Sequence, residues 1–421
     1  MQCERLTAGE DPAQTAAALR ALIPAPESVR DGVTGIIASV RSGGDDSLRH
    51  YTRRFDTAGS EPLPLVVSED ELDAAAAALD RDVEHGLIRA IENVEAVSSG
   101  WRSRLTESVE LGSGRVVLRH APVARAAVYV PGGRAPYPST VVMGVVPARS
   151  AGVEHIAVCA PPRQDGDVDP VILAACRLTG ASAVYRMGGA HAIAALAYGT
   201  DSVIPVDVIV GPGNLYVQEA KRQVFGQVGI DGFAGPSDLV ALATDGADAG
   251  TLALDLLAQA EHGPGTLVIA VSDAPDLLSA LEVSLSEGEA TGAIACLVAT
   301  SDLEQALAVA QAFAPEHLQL VGARAEALAD RVTTAGCLFV GANAGTAFGD
   351  YIAGSNHILP TNGAARFASA LSPNHFVRRF SEVHIDDAAE LANSAAPLAH
   401  AEGFELHARS MEARIRENGS R

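Results

Sequence analysis

Positive charge is in short supply in this chain. Thirty Lys and Arg stand against 52 Asp and Glu, a formal net charge of −22. A surface that acidic repels phosphate backbones and anionic headgroups, which argues against nucleic acid and membranes as partners. Aromatic residues make up only 4% of the sequence, so the core has to be aliphatic and closely packed. The five cysteines (Cys3, Cys159, Cys176, Cys296, Cys337) are scattered and include no CxxC pair. A disulfide framework and a thiolate metal site are therefore not expected, and a reducing cytoplasm fits. Long apolar runs are missing too: Ala192 to Val210 is broken by Asp201, Pro205 and Asp207, so no membrane span is expected. The opening MQCERLTAGEDP has no basic-then-apolar segment, and no export signal is expected. Neither HExxH nor GxGxxG occurs, which removes the two strongest local signatures for a zinc peptidase and a dinucleotide fold.

With 421 residues, the chain is too long for one compact core, and two or more packed units are expected. Residues 1 to about 120 read as mostly helical, with Ala-rich amphipathic runs at Asp73–Leu79 and Glu84–Val97. From Val123, short β-branched runs alternate with helical ones. The strands expected are Ala126–Val130, His155–Cys159, Ala183–Arg186 and Asp207–Val210; the helices between them are Thr140–Ala151, Pro170–Thr179 and Ala190–Tyr198. A second series has strands at Asp238–Ala243, Thr266–Val271, Ala295–Ala299 and Cys337–Val340, with helices at Gly250–Glu261, Leu303–Ala312 and Ala325–Ala335. The fold class is thus α/β: two similar units with parallel sheets, incompletely Rossmann-like, joined near Ala234–Pro236. A helical N-terminal part precedes them, and a helical C-terminal arm follows Ser372, ending in a helix over Leu398–Arg416.

Three segments offer metal-binding side chains. In LALDLLAQAEHGPG, Gln259 and His262 stand three apart near a helix end, so both project from one face. Taken alone, they read more simply as a His at a helix dipole and a Gln in solvent. Asp350 lies in a Gly-rich turn, where a carboxylate can face a cation or cap the turn. Glu402 and His407 are five apart on an expected helix, a poor spacing for one ligand pair. Together, two imidazoles, a carboxylate and an amide oxygen suit a borderline divalent ion such as Zn²⁺, which can polarise a hydroxyl as a Lewis acid.

In AQAFAPEHLQL, Glu316 and His317 sit at an expected helix start after Pro315. They are either a capping Glu beside a half-buried His or two bases, since an imidazole near neutral pKa can shuttle protons. The turns YVPGGRAPYPST, MGGAHAIAALAYGT and VGPGNLYVQEAKRQV put glycines at strand exits. Backbone there can approach a ligand, and helix N-termini can meet phosphate. Lys221 and Arg222 read as solvated or packing cations.

Read in order, YVPGG (129–133), YPSTVV (137–142), GPGN (211–214), EAKRQV (219–224), AGPS (234–237), QAEHG (259–263), APEHL (314–318), GDYIAGSNHILPT (349–361) and AEGFELH (401–407) resemble the histidinol dehydrogenase family. The likeness runs from about residue 30 to the end. It implies two-step, NAD-dependent oxidation of L-histidinol through L-histidinaldehyde to L-histidine, with one zinc ion per subunit. It implies Gln259, His262, Asp350 and His407 as zinc ligands that also contact substrate, and Glu316 and His317 as catalytic bases. Ser237 and Glu402 would contact substrate; Tyr129, His191 and Asn214 would contact NAD. It further implies a homodimer in which His407 and Glu402 serve the partner's site. The corresponding division is an extension (1–22), a discontinuous catalytic domain (23–122 and 235–371), an NAD domain (123–234) and an arm (372–421). Two departures stand out. His191 replaces the family's usual Gln, and AGPSD replaces AGPSE or AGPTE, preceded by Gly232–Phe233. The rival readings are a paralogue acting on another small polar alcohol such as a sulfonated diol, a zinc hydrolase, and a catalytically silent homologue.

Overall fold

The computed structural model describes residues 1, 3–24, 27–101, 106–132 and 135–417; Gly133 of the YVPGG turn lies outside them. The strands are β1 (Cys3–Thr7), β2 (Thr106–Leu111), β3 (Gly114–Pro122), β4 (Arg125–Tyr129), β5 (His155–Ala160), β6 (Ala183–Arg186), β7 (Val208–Val210), β8 (Gly229–Ile230), β9 (Asp238–Ala243), β10 (Leu267–Ser272), β11 (Ile294–Ala299), β12 (His317–Val321), β13 (Cys337–Val340) and β14 (Val377–Ile385). They form a six-stranded sheet ordered β1-β11-β10-β9-β12-β13, a five-stranded sheet ordered β6-β5-β4-β7-β8, and a three-stranded sheet ordered β14-β3-β2. The first two are parallel throughout and the third is antiparallel.

The runs between Val123 and Val210 form strands because both faces of each are apolar. Val128, Ile156, Val158, Val184 and Val210 pack to one side with the helices Pro138–Ala151 and Pro170–Thr179. Their alternates Ala127, Tyr129, Cys159, Tyr185 and Ile209 pack to the other with Gly189–Tyr198 and Leu215–Val224. Continuous hydrophobic strands covered on both faces are what a parallel sheet with crossover helices requires. The six-stranded sheet repeats the pattern. Val240, Leu242, Ile269 and Leu318 meet the helices Pro12–Ala21 and Leu303–Phe313, while Leu239, Ala241, Val268 and Leu297 meet Ala249–Ala260 and Pro275–Glu287. Small residues permit close approach: a Cβ on Gly144 would stand 2.4 Å from Val128 Cγ1.

Two compact units emerge. One comprises Met1–Gly100 with Val123–Phe376 and holds both parallel sheets; the other comprises Trp101–Pro122 with Val377–Arg421 and holds the antiparallel sheet and two helices. Among the described residues, no helix is long and apolar enough to cross a membrane.

Several expected elements are corrected. The first 120 residues are mostly helical as expected, but β1, β2 and β3 also fall among them; β1 gives the N-terminal extension a place in the six-stranded sheet beside β11. Strand β14 opens the segment after Ser372, where only helix was expected. Ala325–Ala335 is a four-residue helix, Ala323–Glu326, and a 3-10 turn. The terminal helix is two helices, Ala388–Ala401 and Glu405–Glu417, separated where Gly403 adopts φ +78. His317–Val321 is strand β12, where a helix start is expected.

Gly144→Ala should lower stability by about 1–3 kcal/mol, because overpacking against Val128 outweighs the gain in helix propensity. A denaturant midpoint at or above wild type would show that the helix can back away from the sheet.

Candidate active site

Strands β9 and β12 run side by side, with His317 opposite Leu239. That register brings Ser237–Asp238 against Glu316–His317 at the amino-terminal edge of the six-stranded sheet. The helix Leu303–Phe313 ends abruptly: Ala314 adopts the left-handed conformation (φ 48, ψ 68), and Pro315 follows. Pro disfavours a helical residue before it, so the chain turns and enters β12 as a strand, correcting the expected helix start.

Glu316 is fixed by reciprocal hydrogen bonds. Its Oε2 accepts from Ser237 Oγ at 2.5 Å and from the Asp238 N–H at 3.0 Å, and its own N–H donates to Asp238 Oδ1 at 2.7 Å. Because the Ser237 hydroxyl hydrogen is committed to Glu316, the Gln259 amide 2.6 Å away must donate to Ser237 Oγ through Nε2. This assigns the amide orientation and leaves Oε1 to face a ligand. His317 Nδ1 lies 3.2 Å from the Asp238 carbonyl, which makes Nδ1 the protonated nitrogen of the neutral ring. Nε2 then carries the lone pair; it is buried without a hydrogen-bond partner. Asp350 Oδ1 lies 3.6 Å from it, an electrostatic contact rather than a hydrogen bond.

Asp350 sits in the short helix Thr346–Tyr351, not in an open turn. Its backbone carbonyl is 2.9 Å from His357 Nδ1, while His357 Nε2 is 3.1 Å from Thr140 Oγ1 of the YPST segment. His262 follows the helix Ala249–Ala260 and is close enough for its charge to act on both Asp350 and His357.

Electrostatics divide the groups. Burial and the neighbouring Glu316 push the Asp238 carboxyl up to about 7. Burial pulls the His317 imidazole down, but Glu316 and Asp350 outweigh it and raise it to about 9. Burial acts to raise Asp350, yet His317, His357 and His262 hold it below the ordinary carboxylate range. In this metal-free environment the His317 imidazole is thus held well above its ordinary value. Two carboxylates face one ring.

Ser237, Gln259, His262, Glu316, His317 and Asp350 thus come together. Tyr129, His191 and Asn214 lie instead with the five-stranded sheet. Tyr129 ends β4 and accepts the Gly189 N–H at 3.1 Å. Asn214 is exposed and caps Leu215–Val224 through the N–H groups of Tyr216 and Val217. His191 is 1% exposed and turns inward, with Nε2 3.4 Å from Thr52 Oγ1 and 3.5 Å from Asp56 Oδ2. Glu402 and His407 belong to the second unit, both exposed, one closing a helix and the other in the next. They do not share a helix as expected. Sequence reasoning missed Asp238, seen only as a departure from Glu, and His357, although its motif was in view.

Among the described residues, no group of three or more His, Cys, Asp and Glu side chains is arranged to hold a metal ion. The donor chemistry nevertheless suits a divalent cation: an ionised carboxylate at Asp350, the His262 imidazole, and the Gln259 amide oxygen assigned by Ser237. A fourth ligand would have to come from outside this cluster. For a dinucleotide, the fit rests on the carboxyl edge of the five-stranded sheet, where the helix Gly189–Tyr198 begins without a side-chain cap and its N–H groups can meet an anion.

The family model described as histidinol dehydrogenase matches residues 24–415. The histidinol dehydrogenase of Parasynechococcus marenigrum (strain WH8102) is 41% identical over 402 residues, covering 92% of either chain. That of Agrobacterium fabrum (strain C58) is 42% identical over 405 residues, covering 92% of this chain and 93% of its own. The crystal structure of histidinol dehydrogenase from Elizabethkingia anophelis superposes with a TM-score of 0.92 at 28% identity, covering 100% of this chain and 99% of that one.

In metal-free protein, NMR should find the His317 imidazole titrating near pH 9, with Glu316→Gln moving it downward. A ring titrating below pH 7 in both proteins would contradict the carboxylate cluster.

Proposed function

The chain belongs to the histidinol dehydrogenase family, and on that premise we propose how its own residues oxidise L-histidinol through the bound aldehyde to L-histidine. The observation that carries the reading is the hydrogen-bonded group Ser237–Asp238–Glu316–His317, which presents two bases side by side in a site sheltered from water. A protonated imidazole cannot take a proton, so His317 becomes a base when charge is drawn away from Asp350. Gln259, His262 and Asp350, joined by the partner subunit's His407, would hold zinc. A metal bound there would supply Lewis-acid polarisation of the substrate hydroxyl and would draw on the Asp350 carboxylate that otherwise faces His317. NAD⁺ is the hydride acceptor in both oxidations.

His317 Nε2 removes the carbinol proton as hydride departs. Glu316, oriented by Ser237 and the Asp238 N–H, takes a proton from the water that adds to the aldehyde. His317, once it has released the first proton to solvent, deprotonates the hydrate for the second hydride transfer. Burial of both bases keeps bulk water from the amino aldehyde between the two oxidations. Tyr129, Asn214 and the glycine turns of residues 123–234 would receive NAD. His191, facing Thr52 and Asp56, would support that turn from beneath rather than meet the dinucleotide directly. Ser237 and the partner's Glu402 would contact substrate; a carboxylate there favours a cationic amine or imidazole over a sulfonate.

His317→Asn should lower turnover by roughly 10²- to 10⁴-fold while zinc content is retained. Unchanged turnover would remove His317 from this role. Wild-type enzyme should form two NADH per L-histidinol, and chelation should abolish both; zinc-independent NADH formation would remove the metal from the chemistry. Donation of His407 between subunits is tested by co-expressing His317→Asn with His407→Asn. Mixed dimers would regain one intact site, giving about a quarter of wild-type activity if chains pair at random. If His407 acted within its own chain, no activity would return.

A further inference from the structure

The helix Leu215–Val224 carries a buried ammonium that the chemistry above does not use. Lys221 is 1% exposed; its Nζ donates to the Gly211 carbonyl at 2.9 Å and pairs with the Asp231 carboxylate. The other Asp231 oxygen, Oδ2, accepts the Gly211 N–H at 2.7 Å. One ion pair therefore holds both polar groups of a single residue, the first glycine of GPGN.

Gly211 needs such a hold. Its φ is +120, outside helix and strand, and a Cβ there would stand 2.1 Å from the Tyr129 carbonyl oxygen. A buried residue in this conformation has no ladder for its N–H and C=O, and leaving them unpaired is costly. One turn earlier on the same helix, Gln218 reaches the same two segments: Oε1 accepts the Ala234 N–H at 2.8 Å, and Nε2 lies 3.4 Å from the Gly213 carbonyl. One face of the helix thus ties the turn before it to the 231–234 segment that leads to Ser237.

A buried ion pair is weak evidence for stability, because apolar residues of similar volume often replace one without loss. Apolar side chains could fill this space, but they could not satisfy Gly211. We propose that Lys221 and Asp231 are positioning residues for NAD: they fix the GPGN turn, and with it Asn214, in the geometry that receives the dinucleotide. This rests on the reading of GPGN as an NAD-binding turn.

The test uses zinc-loaded enzyme and calorimetric titration with NAD⁺ alone, so that binding is read without turnover. Lys221→Met leaves the Asp231 charge buried and unpaired and is prone to misfolding. The double variant Lys221→Met with Asp231→Asn removes both charges while keeping an acceptor for the Gly211 N–H, and it carries the test. Its NAD⁺ dissociation constant should rise roughly 10- to 100-fold, the penalty of a small misplacement, while L-histidinol affinity measured without NAD⁺ stays within about twofold, being set elsewhere. Asn214→Asp is the control: it preserves the helix cap but places a negative charge beside the expected position of an anionic dinucleotide, and should weaken NAD⁺ binding too. If that control binds normally, GPGN is not the NAD turn and the proposal falls with that reading. If the control weakens binding but the double variant binds NAD⁺ like wild type, the turn keeps its assignment and the pair is packing only.

Discussion

The active centre depends on one parallel register. Because β9 and β12 pair with His317 opposite Leu239, the first residues of one strand become the hydrogen-bonding partners of the first residues of the other. A slip of one position would turn Glu316 and His317 toward the opposite face of the sheet. The register is specified immediately beside the chemistry, by Leu239 and Val240 packing to opposite faces of a fully covered sheet. From it follow the Glu316 carboxylate held by Ser237 and Asp238, the Gln259 amide orientation and the His317 tautomer. The site is an extension of the core rather than a set of loops laid over it.

Its electrostatics follow from the same closeness. Glu316 lies 3.7 Å from the His317 ring, an attraction of about 4–5 kcal/mol at an effective dielectric near 20, and Asp350 adds a second. Together they exceed the desolvation of a buried imidazole, which is why His317 moves up rather than down. Asp238 moves the other way from Asp350 because burial, its dominant influence, is reinforced by the Glu316 carboxylate, whereas at Asp350 three imidazoles overcome it. Neighbouring carboxyls in one small volume thus acquire different proton affinities, as acid–base division of labour requires.

Much of the fold was legible because strands buried on both faces leave unbroken β-branched runs. Ala183–Arg186, Asp238–Ala243 and Cys337–Val340 were read with their observed limits. Strand β12 was not, since APEHLQL contains Glu, His and Gln, which carry no strand pattern, and the preceding Pro reads as a helix start. β14 and β3 were missed for a related reason: their polar residues hide the alternation that marks a half-exposed strand. Among site residues, the ones recognised stand in motifs that can be matched as words. Asp238 and Asp231 escaped notice because their work is done through backbone groups, and side-chain identity alone does not announce a hydrogen bond to a peptide. For Lys221 the sequence leaves a solvated and a packing cation both open, because burial of a lone lysine is rare and its partner lies ten residues on.

The tight junction at Ala314–Pro315 has a consequence for how such a site can change. A left-handed alanine costs about 1–2 kcal/mol that a glycine would not, and the proline leaves the junction few other conformations. Insertions or deletions there would shift every residue of β12 along its neighbours. Altering the site without disturbing β12 therefore means changing side chains around a frozen backbone corner while Glu316 and His317 stay where they are.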